Sequence, residues 1–118
     1  MTTESVCQAL STTPLTYSDE DSLQASIEET LTAAGLPAER EVRLPGKLGR
    51  IDLMSGPIGI EVKIGGAWST VVRQLFRYAE ADQISELVLV TNRASHNYVP
   101  AVMNGKPVHV VSLIEGGL

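Results

Sequence analysis

The run Glu86-Leu87-Val88-Leu89-Val90-Thr91 constrains this chain more than any other stretch. Four consecutive branched aliphatic residues leave no polar face. A half-exposed strand alternates polar and apolar positions, so an unbroken run of this length reads as a strand covered on both faces. Val108 to Leu113 makes a similar final strand. A sheet whose inner strands are buried needs helices packed on it, and the remaining sequence must supply them.

Two stretches do so. Ser18-Asp19-Glu20-Asp21 resembles a capping box, with acids where the helix dipole favours them. Leu23, Ile27 and Leu31 recur every fourth residue, Gly35 fits the position after a helix end, and Pro37 follows, which predicts a helix over 19–34. From Trp68 to Ala81 the period is again helical, with Val71, Leu75 and Tyr78 on one side. Between these helices, Glu41–Leu44, Arg50–Met54 and Ile58–Ile64 read as strands separated by Pro45-Gly46-Lys47 and Ser55-Gly56-Pro57, and Gly65-Gly66 ends the third. A hairpin centred between Gly56 and Pro57 sets Asp52 opposite Glu61. Pro100 restricts 95–103 to a short or broken helix. Residues 1–16, rich in Thr and Ser, read as an irregular N-terminal arm ahead of a single domain over 17–118. The order α-β-β-β-α-β-(α)-β predicts a mixed central sheet flanked by helices, an α/β or α+β fold.

The chain has 118 residues, 43% of them apolar, enough for one core. Cys7 is the only cysteine and cannot form an internal disulfide, and there is no Cys/His cluster for structural zinc. No stretch approaches the roughly 20 apolar residues of a membrane span. These features predict a soluble cytoplasmic protein without membrane contact. The net charge is −5, but it is unevenly spread. Residues 1–39 carry −7, residues 40–77 carry +4, and residues 78–118 carry −2. A local positive field can attract a polyanion even when the total is negative.

The positive segment also holds the residues suited to chemistry. Phosphodiester cleavage needs an activated water and a neutralised leaving oxygen, which divalent ions provide. Magnesium takes one or two carboxylates and keeps water elsewhere. Asp52 and Glu61 supply two carboxylates, and the Val62 carbonyl a third oxygen. Lys63 lies two residues after Glu61 and shares its strand face, placing an ammonium where it can orient water or meet phosphate charge. Such a polar trio set among Ile51, Leu53, Met54, Ile60, Val62 and Ile64 is costly to bury unless paired or metal-bound. A bare Glu-x-Lys would otherwise read as a surface ion pair. His96 and His109 have no Ser, Cys or Asp partner by spacing, so no triad is predicted. Trp68 is expected to cap the core, with stacking on a base as the alternative. No glycine-rich phosphate loop is present.

Gly49-Arg50-Ile51-Asp52 followed by Ile60-Glu61-Val62-Lys63 resembles the motif of the PD-(D/E)XK nuclease superfamily, and the element order over about 18–113 is similar to its restriction-endonuclease-like α-β-β-β-α-β core. The resemblance implies that Asp52 and Glu61 bind Mg2+, with Mn2+ able to substitute, and that Lys63 assists the attacking water. Gln74-Leu75-Phe76-Arg77-Tyr78 is similar to the Gln-x-x-x-Tyr element of RecB-type members, which implies a catalytic part for Gln74 and DNA contact for Tyr78. Arg50, Arg73, Arg77 and Lys47 are the expected phosphate contacts. Many members carry another acid on the first helix. The junction-resolvase pattern would place it at Gln24, an amide here, so Glu28 or Glu20, one turn away, is the expected substitute, and Glu28 joins the expected metal ligands. The implied activity is a structure-specific DNA endonuclease acting on branched or duplex DNA, as a homodimer or as a subunit of a larger complex. Two alternatives stay open: a non-catalytic nuclease-like binding or assembly module, and a RecB-like exonuclease subunit.

Overall fold

The computed structural model describes residues 2–113. The elements are α1 (Thr3–Thr12), α2 (Glu20–Ala33), β1 (Glu39–Arg43), β2 (Arg50–Ser55), β3 (Ile58–Lys63), α3 (Trp68–Tyr78), β4 (Glu86–Thr91), a short 3-10 helix (Ala94–Tyr98), β5 (Val102–Met103) and β6 (Lys106–Ser112). They form an α+β domain around one mixed six-stranded sheet of order β1-β2-β3-β4-β6-β5. β1, β2 and β3 are an antiparallel meander; β4 joins β3 in parallel after α3, and β6 joins β4 in parallel. Among the described residues no helix is long and apolar enough to cross a membrane.

The run at 86–91 is covered on both faces, as its composition predicts. Val88 and Val90 pack with Leu23, Ile27 and Leu31 of α2, while Leu87 and Leu89 pack with Val71, Leu75 and Tyr78 of α3. Burying each of the three α2 side chains is worth about 1.5–3 kcal/mol, so this stripe is the main reason α2 holds its place. Asp19 rather than Ser18 caps α2: the Ser22 N–H donates to Asp19 Oδ1 at 2.7 Å and the Ser22 hydroxyl accepts from the Asp19 N–H.

Residues 1–16 correct the expected irregular arm. Thr3–Thr12 is helical, capped by Thr2, and its Val6 and Leu10 are buried in the same core layer as α2. The intrinsic helix preference of this Thr- and Ser-containing stretch is weak, and burial of an i, i+4 apolar pair outweighs it. α1 is therefore part of the core rather than an arm ahead of it. In the 95–103 region the chain forms the 3-10 turn and then the two-residue β5.

Close packing decides one glycine. A Cβ on Gly59 would stand 2.7 Å from Ile51 Cδ1 and 3.2 Å from Ile84 and Leu87 methyl carbons. The bare backbone there lets β2 and β4 side chains close over β3, two residues before Glu61.

Candidate active site

The regular ladder of the β2–β3 hairpin runs from Ser55↔Ile58 to Leu53↔Ile60. One step further on this register Asp52 meets Glu61, as the turn spacing predicts. At this step side chains make the rungs. The Asp52 N–H donates to Glu61 Oε1 at 3.3 Å, and the Val62 N–H donates to Asp52 Oδ2 at 2.8 Å. The N–H and C=O of a strand residue point to the same edge. The Val62 carbonyl therefore shares the edge on which the Asp52 carboxylate sits.

The other neighbour of β2 is interrupted at the same level. β1 pairs Arg40↔Leu53 and Val42↔Ile51, and the intervening Glu41 turns through φ 55°. A left-handed Glu costs about 1 kcal/mol, and because the pairing stays one-to-one on both sides of it the irregularity is a local twist of the ladder with no residue inserted. β2 is irregular at the same step. Ile51 packs in the α3 layer and Leu53 in the α1–α2 layer, although residues two apart normally share a face. β2 is thus kinked at Asp52, whose carboxylate accepts from the Val62 N–H in place of a backbone rung.

Lys63 Nζ lies 3.4 Å from Glu61 Oε2. Glu61 is only 2% exposed, and burial, reinforced by the Asp52 charge and only partly offset by Lys63, pushes its carboxyl up to about 8. Burial also raises Asp52 above its usual range, against the opposing effects of the Val62 N–H and Lys63. Two carboxyl groups thus face one ammonium in a poorly solvated place, where Glu61 keeps its proton at neutral pH and a divalent cation would displace it. Among the described residues no three His, Cys, Asp or Glu side chains come together as a ligand cluster. Asp52 and Glu61 with the Val62 carbonyl match the sparse protein ligation magnesium accepts.

α3 closes one side. The Tyr78 hydroxyl donates to the Arg50 carbonyl at 3.0 Å and accepts from Gln74 Nε2 at 2.9 Å. Burial, with the Glu61 charge second, raises Tyr78, so its proton stays on the oxygen. Gln74 Oε1 is buried without a hydrogen-bond partner. Tyr78 does not present itself to DNA as expected; it is buried and holds the Arg50 backbone and Gln74 in place.

α2 contributes Glu20, whose Oε2 accepts from the Ile64 N–H at 3.0 Å and whose charge acts on Asp52. Glu28, the expected metal ligand, stands eight residues along the helix, about 12 Å down its axis. Gln24, the position of the expected acid, is buried and accepts from Arg40 Nε at 3.4 Å, while Arg40 pairs with Asp21 at 2.8 Å. The loop after Lys63 is pinned by residues whose part the spacing did not reveal. The Gly65 N–H donates to Asn92 Oδ1, the Asn92 N–H donates to the Lys63 carbonyl, and buried His96 reaches both the Gly66 carbonyl through Nε2 (2.9 Å) and the Thr91 hydroxyl through Nδ1 (2.6 Å). Arg50 is exposed and 3.8 Å from Glu41; Lys47, Arg73 and Arg77 are exposed, and among the described residues they have no ion-pair partner. His109 pairs with Glu86 at 2.9 Å, away from this site.

No protein-family model, no curated protein and no solved structure matches the chain.

Proposed function

We propose that the protein is a magnesium-dependent nuclease of the PD-(D/E)XK type that hydrolyses DNA phosphodiester bonds, working as a structure-specific endonuclease and as a homodimer or as part of a larger complex. The observation that carries this reading is the Asp52–Glu61 pair joined across a kinked hairpin, with the Lys63 ammonium 3.4 Å from Glu61. The order α2-β1-β2-β3-α3-β4, with β3 and β4 parallel, supports the restriction-endonuclease-like core.

Asp52, Glu61 and the Val62 carbonyl would hold Mg2+, or Mn2+ in its place. When bound, the ion supplies Lewis acidity to water and to a phosphate oxygen. Lys63 holds the attacking water toward phosphorus and offsets charge growing on the phosphate. Gln74 Oε1, a free acceptor beside the site, takes a hydrogen bond from that water, and Tyr78 holds the Gln74 amide. Arg50, Arg73, Arg77 and Lys47 meet the phosphate backbone.

A second reading, a non-catalytic nuclease-like module, is favoured by Gln24, an amide tied to Arg40 where an acid is expected. One assay separates the two: single-stranded, duplex, nicked and four-way DNA incubated with Mg2+, with Lys63→Ala alongside. Cleavage by the parent and not by the variant supports the nuclease. Equal cleavage by both, or none by either, removes it.

A further inference from the structure

Aromatic side chains carry large apolar area and normally dominate a core. Here the five aromatic residues are distributed the other way. Only Tyr78 is buried; Trp68 is 42% exposed, Phe76 52%, Tyr98 80%, and Tyr17 is exposed as well. Three of these cluster around α3. Trp68, Val72 and Phe76 follow one another at i, i+4 and i+8 and make one ridge of the helix, with Arg73 and Arg77 forming the next ridge beside it. The 3-10 helix lies against this element, tied by His96 to the Gly66 carbonyl just ahead of Trp68, and it carries Tyr98 and exposed Arg93. Among the described residues none of these three arginines has an ion-pair partner.

Exposed rings beside unpaired guanidinium groups suit a strand whose bases are free to stack and whose phosphates need counter-charge. A duplex hides its base faces and would leave the rings in water. A second protein copy would bring the same arginines near one another. Gln74 and Tyr78 lie on the other flank of α3, with the Arg73–Arg77 ridge between them and the rings, so a strand that crosses the helix over those arginines runs from the rings toward the Asp52–Glu61 cleft. We infer that the α3 surface formed by Trp68, Phe76, Arg73 and Arg77, with Tyr98 and Arg93 beside it, binds single-stranded nucleic acid, so that the substrate is a strand end or an unpaired stretch. This inference rests on the nuclease reading for its substrate role, but binding is measured without metal and stands apart from cleavage.

Trp68 is the only tryptophan and is its own reporter. The full chain in EDTA is titrated with a twelve-nucleotide oligo(dT), with oligo(U) of the same length, and with a blunt duplex of that length. Base stacking is expected to quench Trp68 emission with both single strands, at least tenfold more tightly than with the duplex. Equal affinity for the two strands identifies shared stacking chemistry, and a preference assigns DNA or RNA. Phe76→Ala, at an exposed position, is expected to lower single-strand affinity about 10-fold or more without changing the far-UV circular dichroism. Arg73→Ala with Arg77→Ala is expected to flatten the salt slope by about 1.4. Equal duplex binding, or an unchanged affinity in Phe76→Ala, overturns the inference. So does a Phe76→Ala protein that changes only from dimer to monomer in light scattering, which would assign the face to self-association. Single-strand binding without Mg2+-dependent cleavage would remove the nuclease and keep the strand-binding face; cleavage with no strand preference would do the reverse.

Discussion

Replacing Glu61 by Gln is expected to abolish cleavage and, in the absence of metal, to stabilise the fold above neutral pH. The carboxyl of Glu61 is pushed from 4.5 to about 8, mainly by burial. A proton therefore binds the folded state more tightly than the unfolded one. The stability this gives is fully present below about 4.5 and is lost as pH rises through about 8. One pH unit is worth about 1.4 kcal/mol, so the gap corresponds to at most about 5 kcal/mol between the two ends. Gln keeps the acceptor for the Asp52 N–H but gives up the Lys63 contact, which returns about 2 kcal/mol of that gain. The net expectation at pH 9 is about 2–3 kcal/mol in favour of Glu61→Gln, or roughly 10 °C in Tm for a domain of this size. Thermal unfolding followed by circular dichroism in EDTA, from pH 5 to 9, measures it. The parent should lose stability steadily across this range, and the variant should be nearly flat. A parent Tm that does not fall between pH 6 and 9, or a variant that melts below the parent at pH 9, would refute the assignment of Glu61 as a buried acid that holds its proton until a cation replaces it.

Lys63→Ala is expected to lower the cleavage rate by two orders of magnitude or more, and to steepen the metal-free loss of stability toward pH 9, because the ammonium partly offsets the two carboxylates. Millimolar Mg2+ is expected to raise the Tm of the parent at pH 8 and to leave Asp52→Ala unmoved in the same melt. His96→Ala should cost about 2–4 kcal/mol in denaturant unfolding, since it opens a buried space and leaves the Gly66 carbonyl and Thr91 hydroxyl without their ring partner. Gly59→Ala should cost about 1–3 kcal/mol by the same measure, because a methyl group meets Ile51 at 2.7 Å.

The hairpin register was readable because its turn is short: two strands that meet across Gly56-Pro57 leave little freedom over which residues face each other. The strand at 86–91 was readable because its composition admits no polar face. α1 escaped notice because its Thr and Ser content hides a two-residue apolar stripe whose worth depends on α2 and the sheet behind it. The same holds for the acid on the first helix. Glu20, Gln24 and Glu28 follow one another a turn apart, and which one comes near Asp52 depends on how far the helix slides over the sheet. His96 acts through a carbonyl 30 residues away, a pairing that side-chain spacing does not encode. The left-handed backbone at Glu41 gave no sign at all, since glutamate is not a residue that favours positive φ.

The half-turn that β2 makes at Asp52 has a consequence for how this chain tolerates change. Ile51 faces one layer, Leu53 the other, and Met54 the first again, so the strand slips its phase by one residue where the two acids come together. Because the pairing with β1 stays one-to-one through Glu41, deleting that residue would slip the register of β1 against β2 and turn its side chains to the opposite face. The strained residue and the two acids share one level of the sheet, so a change made for sturdiness at position 41 is felt where the acids meet.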